Sequence, residues 1–215
     1  MKIKWLGHAA FLITSDSGTR LISDPYCVGG GIDYDPIDLS ADIVTVSHQH
    51  GDHNNVAAVK GSPAVVEAPG RKTAKGVEFH GVATFHDHAG GKERGNNIIF
   101  CFTMDGVRVC HLGDLGHVLE ESQIAEIGSV DIVLVPVGGT YTVDAKEAAR
   151  VCDQLGPRLV IPMHFKSTKC GYPIGGVEEF LRNRKNVKRL GGSELEITKG
   201  NLPADVETVV LEHGL

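Results

Sequence analysis

The sequence predicts an α/β fold, a four-layer αβ/βα sandwich in which two β-sheets pack between outer helices. Short apolar runs rich in β-branched residues, separated by glycine-containing turns, indicate strands through the first half of the chain. In the second half, apolar runs alternate with amphipathic segments, and each half passes from strands to a helix and back to a strand. The length of 215 residues suits one large domain, so we expect a single domain over residues 1–215.

The first half is expected to consist mainly of short strands. They are predicted at 3–7, 9–15, 19–24, 41–47, 63–68 and 77–85, with a short helix or turn near 55–59. A hairpin then joins 96–104 to 107–114 through the two-residue turn Asp105-Gly106. In that register Cys101 faces Cys110, and two buried thiols are favoured over a disulfide because strand cysteines commonly act as core residues.

The second half is expected to alternate helices with strands. Helices are predicted at 119–128, 145–156 and 176–185, and strands at 130–137, 158–165, 187–190, 194–198 and 206–212. Asp144 and Glu147 form a D-x-x-E capping box that opens the second helix. This alternation is the basis for placing helices on the outer faces of the predicted sandwich.

The composition argues against several classes of function. A formal net charge of −6 disfavours a broad nucleic-acid surface, because phosphate contacts require clustered Lys and Arg. The five cysteines are scattered and form no C-x-x-C pair, which indicates reduced thiols. No signal peptide or membrane span is recognisable. We therefore expect a cytoplasmic protein with a small-molecule substrate and no nucleic-acid or membrane partner, while homo-oligomerisation stays open.

Residues that commonly bind metals follow five predicted strands at their C-terminal ends. They are Asp24, the cluster from His48 to His53, His86, Asp114 and His164. Loops beyond strand ends on one side of an α/β sheet converge on a crevice, so we expect these side chains to meet. Histidines scattered over a surface would not follow the strands in this way.

The cluster HQHGDH at 48–53 offers more ligands than one tetrahedral ion needs. His48 and His50, two positions apart in an extended segment, can point the same way. Gly51 is expected to let the backbone turn sharply before Asp52 and His53. Together with the groups after the later strands, the set is large enough for two neighbouring metal sites if one carboxylate bridges them.

The order His48-x-His50-x-Asp52-His53, followed by single ligands after later strands, resembles the metallo-β-lactamase superfamily along almost the whole chain. The opening GHAAFLI and the SDP that contains Asp24 are similar to the small metal-dependent hydrolases of that superfamily. These are the relatives of L-ascorbate-6-phosphate lactonase and of N-acylphosphatidylethanolamine phospholipase D. The resemblance implies the superfamily's αβ/βα sandwich.

The resemblance also implies a dinuclear centre that hydrolyses an ester, lactone or phosphodiester of a small polar substrate through metal-bound hydroxide. The implied ligands are His48, His50 and His86 for the first metal, Asp52, His53 and His164 for the second, and Asp114 as the bridge. Asp52 would also orient the attacking water or relay its proton, and Asp24 would hold the ligands in place from behind. Two zinc ions per chain are expected, with manganese as the alternative.

Two other functions stay open at this stage. The superfamily includes persulfide dioxygenases that use one iron, so an iron oxidoreductase is an alternative. A protein that binds metal without turnover is the other, although no member of the implied ligand set is missing. A redox di-iron site is disfavoured, because His50 stands where the flavo-diiron oxygen reductases have Glu.

Several further side chains have less certain roles. His86 is preferred to His88 as a ligand because it directly follows its strand. His8 in GHAAF either lines the site or caps a turn. Tyr141 in GGTYT and Arg94 in KERGNN are candidate substrate contacts, although a glycine turn and a solvated charge are the more common roles for such positions.

Overall fold

Two β-sheets form the frame of the structure, a computed structural model that describes residues 1–182 and 184–215. The elements in chain order are β1 (Lys2–Gly7), β2 (Ala10–Thr14), β3 (Arg20–Ser23), β4 (Ile43–Thr45), a 3₁₀ turn (Val56–Ala58), β5 (Ala64–Val66), β6 (Gly70–Ala74), β7 (Val77–Phe85), β8 (Asn96–Met104), β9 (Val107–His111), α1 (Glu121–Ile127), β10 (Ile132–Pro136), α2 (Ala145–Leu155), β11 (Leu159–Met163), α3 (Glu178–Leu181), β12 (Val187–Arg189), β13 (Glu194–Glu196) and β14 (Glu207–Val210). The mixed α/β architecture predicted from the sequence is confirmed.

The first sheet has six strands in the order β13-β1-β2-β3-β4-β5. β1, β2 and β3 are antiparallel, whereas β3, β4 and β5 run parallel to one another. β13 joins the sheet from far along the chain, where Leu195 pairs with Ile3. The parallel part brings the C-terminal ends of β3 and β4 side by side, and these ends lead to Asp24 and to the HQHGDH cluster.

The second sheet has eight strands in the order β12-β14-β11-β10-β9-β8-β7-β6. β6 to β9 are antiparallel neighbours, and β9, β10, β11, β14 and β12 are parallel. β7 and β9 therefore run the same way, because each pairs antiparallel with β8. His86, Asp114 and His164 follow β7, β9 and β11, so all three emerge at one edge of this sheet.

The core lies between the sheets and continues under the helices. Trp5 and Phe11 of the first sheet and Phe100 and Val109 of the second are fully or almost fully buried in one cluster. At 25 cal/mol per Å², burying an aromatic side chain stabilises the fold by roughly 2–3 kcal/mol. α1 packs on β7, and α2 packs on β10 and against α3.

The outer face of the six-stranded sheet is covered differently from the expected helical layer. Tyr26, Ile32, Tyr34 and Ile37, from the long segment after β3, pack on this face together with Val59 beside the 3₁₀ turn. Bulky side chains in a long irregular segment can bury a sheet face as helix residues do. The α-helices found in the described residues all belong to the second half of the chain, and none of them is long and apolar enough to cross a membrane.

Two elements differ from the sequence expectation. β6 was not predicted, because its sequence GRKTA is exposed at four of its five positions and shows no apolar alternation. It forms because the turn at Lys75-Gly76 pairs it with β7. The helix expected over 176–185 is a single turn at Glu178–Leu181, and part of that expectation, Asn183, lies outside the described residues.

The cysteine and capping predictions are confirmed. Cys101 pairs with Cys110 across the β8–β9 hairpin, and both are buried free thiols with their sulfur atoms 3.4 Å apart. The Asp144 carboxylate accepts hydrogen bonds from the backbone N–H groups of Lys146 and Glu147. The Glu147 carboxylate in turn accepts one from the backbone N–H of Asp144, which completes the capping box.

We expect the Asp144→Ala variant to lower the free energy of unfolding by about 1 kcal/mol, because the first turn of α2 loses its side-chain acceptor. Urea unfolding followed by circular dichroism measures this change. Asp205→Ala, at an exposed position in a loop, is the matched control and should stay within about 0.5 kcal/mol of the parent. Equal losses in the two variants would contradict a capping role for Asp144.

Candidate metal centre

The carboxylate of Asp114 lies at the centre of the polar cluster where the two sheets meet. Its Oδ2 atom is 3.2 Å from Nε2 of His53 and 3.3 Å from Nε2 of both His86 and His164. All four residues are buried. Four strand ends from two sheets, those of β4, β7, β9 and β11, are therefore required to bring these atoms together, and the convergence expected from the sequence is observed.

The remaining predicted ligands fall into two groups on either side of Asp114. Potential ligand atoms of His48, His50 and His86 lie within 4.8 Å of one another. So do those of Asp52, His53 and His164, with His8 as a fourth member. Apart from His8, these groups have the same membership as the two ligand sets implied by the resemblance, and Asp114 lies between them.

Ser47 and Asp24 orient two of the imidazoles from behind. Nδ1 of His48 donates a hydrogen bond to Ser47 Oγ at 3.0 Å, and Nδ1 of His53 donates one to Asp24 Oδ2 at 3.0 Å. In each ring the Nε2 atom is then left to face the cluster. Asp24 also accepts hydrogen bonds from the backbone N–H and the hydroxyl of Ser47. Burial alone would raise the pKa of Asp24, but His111 and His53 hold it below its usual value.

Asp52 is held by His8. Nε2 of His8 lies 3.2 Å from Oδ2 of Asp52, and the His8 ring contacts the His164 ring with centroids 4.1 Å apart. Burial and the neighbouring His164 lower the pKa of His8 to about 4, so His8 is neutral near pH 7 and its Nε2–H group donates a hydrogen bond to the carboxylate. His8 is 1% exposed and lies behind Asp52. Because of this burial, His8 is not placed to contact a substrate directly, a role that the sequence left open.

Gly113 and Asn97 set the position of Asp114. The backbone N–H of Asp114 donates to Oδ1 of Asn97 at 2.9 Å, and Asn97 is itself fixed by donating to Thr84 and to the carbonyl of Leu112. Gly113 has φ of 56°, and a Cβ there would lie 2.3 Å from the same Asn97 oxygen. Glycine is therefore required before Asp114.

Backbone strain is concentrated in the cluster. His8, Asp24 and His164 all have positive φ, at 51°, 41° and 50°. Such conformations are costly for residues other than glycine and persist only where the surroundings enforce them. The carbonyl of His8 accepts hydrogen bonds from the backbone N–H of His164 and from Nε1 of Trp5, both at 3.0 Å, which locks two of these strained positions to one another.

The donor atoms and the electrostatics of the cluster fit bound metal cations. Nε2 of His48, Nε2 of His53 and Oδ1 of Asp114 are buried without a hydrogen-bond partner, an arrangement that costs free energy unless another group satisfies them. Burial opposes charge at His53, yet Asp114 and Asp24 raise its pKa well above the usual value. The site thus attracts positive charge at this position. Imidazole nitrogens combined with carboxylate oxygens are the ligand set typical of zinc.

A cavity of about 340 Å³ opens over the cluster. The residues that line it are His50, Asp52, His86, Arg94, Asp114, Tyr141, His164 and Tyr172. Tyr141 and Arg94, which the sequence offered as candidate substrate contacts, therefore both line this cavity. A larger cleft of about 490 Å³ lies beside Asp153 and Arg184, but its lining contains no histidine and these two residues pair with each other at 3.2 Å.

Other candidates from the sequence lie elsewhere. His88 is 65% exposed and lies 3.6 Å from Glu147, outside both ligand groups. The sharp turn expected at Gly51 is present, but it does not require glycine, because the φ of Gly51 is not positive and a Cβ there would meet open space. The reason is that residues 50–53 form an ordinary hydrogen-bonded turn, in which the backbone N–H of His53 donates to the carbonyl of His50.

Sequence reasoning missed Tyr172, Ser47 and Asn97. Tyr172 reaches the cavity from the loop after β11, and its ring packs where a Cβ on Gly31 would lie, 2.8 Å away. Burial and the Asp52 carboxylate raise the pKa of Tyr172 to about 12, so its hydroxyl keeps its proton. In the sequence, the run of glycines at 29–31 could have indicated that another side chain packs closely against this segment. No motif in the sequence indicates the roles of Ser47 and Asn97.

Comparison with known proteins identifies the family of this chain. The model of the β-lactamase superfamily domain matches residues 2–164. A protein of Archaeoglobus fulgidus named UPF0173 metal-dependent hydrolase is 31% identical, over 100% of this chain and 97% of its own length. One of the same name from Thermococcus onnurineus is 32% identical, over 92% of this chain and 95% of its own.

A solved structure from Thermotoga maritima, assigned to the zinc-dependent hydrolases of the metallo-β-lactamase superfamily, is similar throughout. It has a TM-score of 0.83 and 42% sequence identity, and the match covers 98% of each chain. The family match spans most of the chain, and the relatives are similar over nearly their whole length. The protein therefore belongs to the metallo-β-lactamase superfamily and, within it, to the UPF0173 metal-dependent hydrolases.

Proposed function

We propose that this metal-dependent hydrolase uses two bound cations, with zinc as the expected metal and manganese as the alternative, to cleave an ester, lactone or phosphodiester. The observation that carries the proposal is the position of Asp114. One of its two carboxylate oxygens faces three imidazoles that belong to two ligand groups. One bridging carboxylate between two sets of nitrogen and oxygen donors is suited to a pair of cations.

The assignment of ligands follows the two groups. His48, His50 and His86 would hold one cation, Asp52, His53 and His164 the other, and Asp114 would contact both. When bound, the cations would polarise the scissile carbonyl or phosphoryl group and lower the pKa of a water toward about 7. The buried, unpartnered atoms of His48, His53 and Asp114 support this assignment.

Asp52 is the residue we assign to proton handling. Its carboxylate is only partly buried and borders the cavity, and His8 and His53 hold its pKa below the usual value despite burial. It therefore stays ionised and can accept a proton from an attacking water. The hydrogen bond from Nε2 of His8 fixes the orientation of this carboxylate and leaves its second oxygen unrestrained by His8.

The cavity supports a small polar substrate. Its volume of about 340 Å³ is at the lower end for small-molecule sites, and its lining includes Tyr141 and Tyr172. Tyr172, which keeps its proton, can donate a hydrogen bond to a substrate oxygen. A narrower likeness to the ascorbate-phosphate lactonases, the cytoplasmic location and any homo-oligomer stay predictions.

Hydrolysis of a panel tests the proposal. The protein is loaded separately with zinc and manganese and offered a sugar lactone, a phosphodiester and an aryl ester. We expect turnover of one class, and a loss of about 10²- to 10⁴-fold in kcat for Asp52→Ala, because a ligand and proton acceptor is removed. Asp38→Ala, a surface position paired with Lys60, is the matched control and should keep full activity.

Two outcomes would overturn this function. Equal turnover by the parent and the Asp52 variant would remove Asp52 from the chemistry. Retention of one iron per chain, with oxygen consumed in the presence of a persulfide and no hydrolysis, would establish the oxidoreductase alternative instead.

The role of Asp24 is tested by metal affinity. Asp24→Asn replaces the carboxylate that accepts from Nδ1 of His53, so we expect zinc to bind about 10- to 100-fold more weakly. Competition with a chromophoric chelator measures the dissociation constant. Asp42→Asn is the matched control, since Asp42 accepts a backbone hydrogen bond at the other end of β4. Unchanged affinity in Asp24→Asn would show that the imidazole needs no such support.

A further inference from the structure

Arg94 lies on the wall of the cavity above the candidate metal ligands. It is the one Lys or Arg among the described residues that line this cavity. Two adjoining clefts, of about 330 and 250 Å³, also have Arg94 in their lining. The Arg94 side chain thus lies where the cavity and the two clefts meet. A molecule bound over the metal ligands would lie close to it.

The loop that carries Arg94 is fixed by Asp87. The buried carboxylate of Asp87 accepts four backbone hydrogen bonds, of 2.7 to 3.0 Å, from Ala89, Gly91, Glu93 and Arg94 itself. Asp87 directly follows the candidate ligand His86. One short segment therefore places a metal ligand and an arginine at defined positions relative to each other.

The guanidinium of Arg94 has little else to bind. Its one carboxylate neighbour in the described residues is the adjacent, 63% exposed Glu93, at 3.5 Å, and an exposed pair of this kind is worth about 0–1 kcal/mol at most. The guanidinium also lies over the ring of Tyr141, 5.7 Å from its centroid, and Tyr141 lines the same cavity. Most of its five N–H donors stay available to a ligand.

The nearby lysines do not have this freedom. Lys166 donates to the backbone carbonyl of Tyr172 at 2.9 Å, and Lys169 pairs with Asp35 at 2.9 Å. Neither lines the cavity. Of these three basic residues, Arg94 is therefore the one that the structure leaves in a position to bind an anion.

We propose that Arg94 binds an acidic group of the substrate, a carboxylate or a phosphate, that is separate from the bond cleaved over the metal ligands. The inference rests on the proposed hydrolase function and narrows its substrate class to anions. A planar guanidinium binds either group through two parallel hydrogen bonds, which fixes orientation as well as charge. Neutral esters of the same size would lack this contact.

A pair of esters tests the proposal. Mono-(4-nitrophenyl) glutarate carries a free carboxylate, and 4-nitrophenyl pentanoate is its neutral counterpart. We expect Arg94→Gln to lower the ratio of their kcat/KM values by about 10- to 100-fold, because a charge-assisted hydrogen bond of about 1.5–3 kcal/mol is lost. Arg94→Lys should restore part of the ratio. Arg71→Gln, on the exposed strand β6, is the matched control and should keep the parent ratio.

Binding provides a second readout that does not depend on turnover. Calorimetry measures the dissociation constants of glutarate and of methyl phosphate for the zinc-loaded parent, Arg94→Gln and Arg71→Gln, and the anion whose affinity falls more in Arg94→Gln identifies the preferred group. An unchanged ester ratio would overturn the anion proposal while leaving the hydrolase function intact. If neither ester is cleaved, the hydrolase proposal fails for esters, and the affinities alone decide: equal values in the parent and Arg94→Gln would overturn the role of Arg94.

Discussion

The contact between the Asp114 carboxylate and three imidazoles is the constraint on which the rest of the structure depends. A buried carboxylate is costly unless opposite charge or hydrogen bonds surround it. Burial alone would raise the pKa of Asp114, but His164 and His53 hold that pKa well below its usual value, so the carboxylate stays charged. Its partners His86 and His164 follow β7 and β11, and His53 belongs to the cluster after β4. The two sheets must therefore be aligned at this edge for the charge to be compensated.

The surroundings of the cluster show how that alignment is kept. Asp24 and Ser47 fix two imidazoles, Asn97 fixes the backbone before the central carboxylate, and His8 fixes Asp52. Asp24, Asn97 and His8 each contact a group that follows a different strand, whereas Ser47 contacts the adjacent His48. Strained backbone conformations in the same region are tolerated because so many hydrogen bonds act on them together. The result is a rigid set of donor atoms beneath a cavity whose upper wall is formed by loops.

The sequence predicted the part of the site that depends on strand ends. His48, His86 and Asp114 follow apolar runs that could not be mistaken for loops, and parallel strands bring such positions together. It did not predict Tyr172, because that residue reaches the cavity through a loop packed on another loop, and no periodicity records such a contact. β6 was missed for a related reason: an exposed edge strand is specified by its turn and its partner, not by apolar alternation. The cover of the first sheet by large side chains of an irregular segment could not be predicted either, because such a segment has no apolar periodicity.

The pairing of β13 with β1 affects the order in which the chain can fold. Leu195 pairs with Ile3 across almost the whole length of the sequence, whereas every ligand assigned to the two cations lies between residues 48 and 164. During synthesis the polypeptide emerges from its amino end, so the hydrogen-bonding groups of β1 on that side wait until residues 194–196 have left the ribosome. An unpaired strand edge is a template for association with other chains. The interval before β13 arrives is therefore when a nascent chain of this protein is most exposed to aggregation, even though the segments that build its metal centre have already been made.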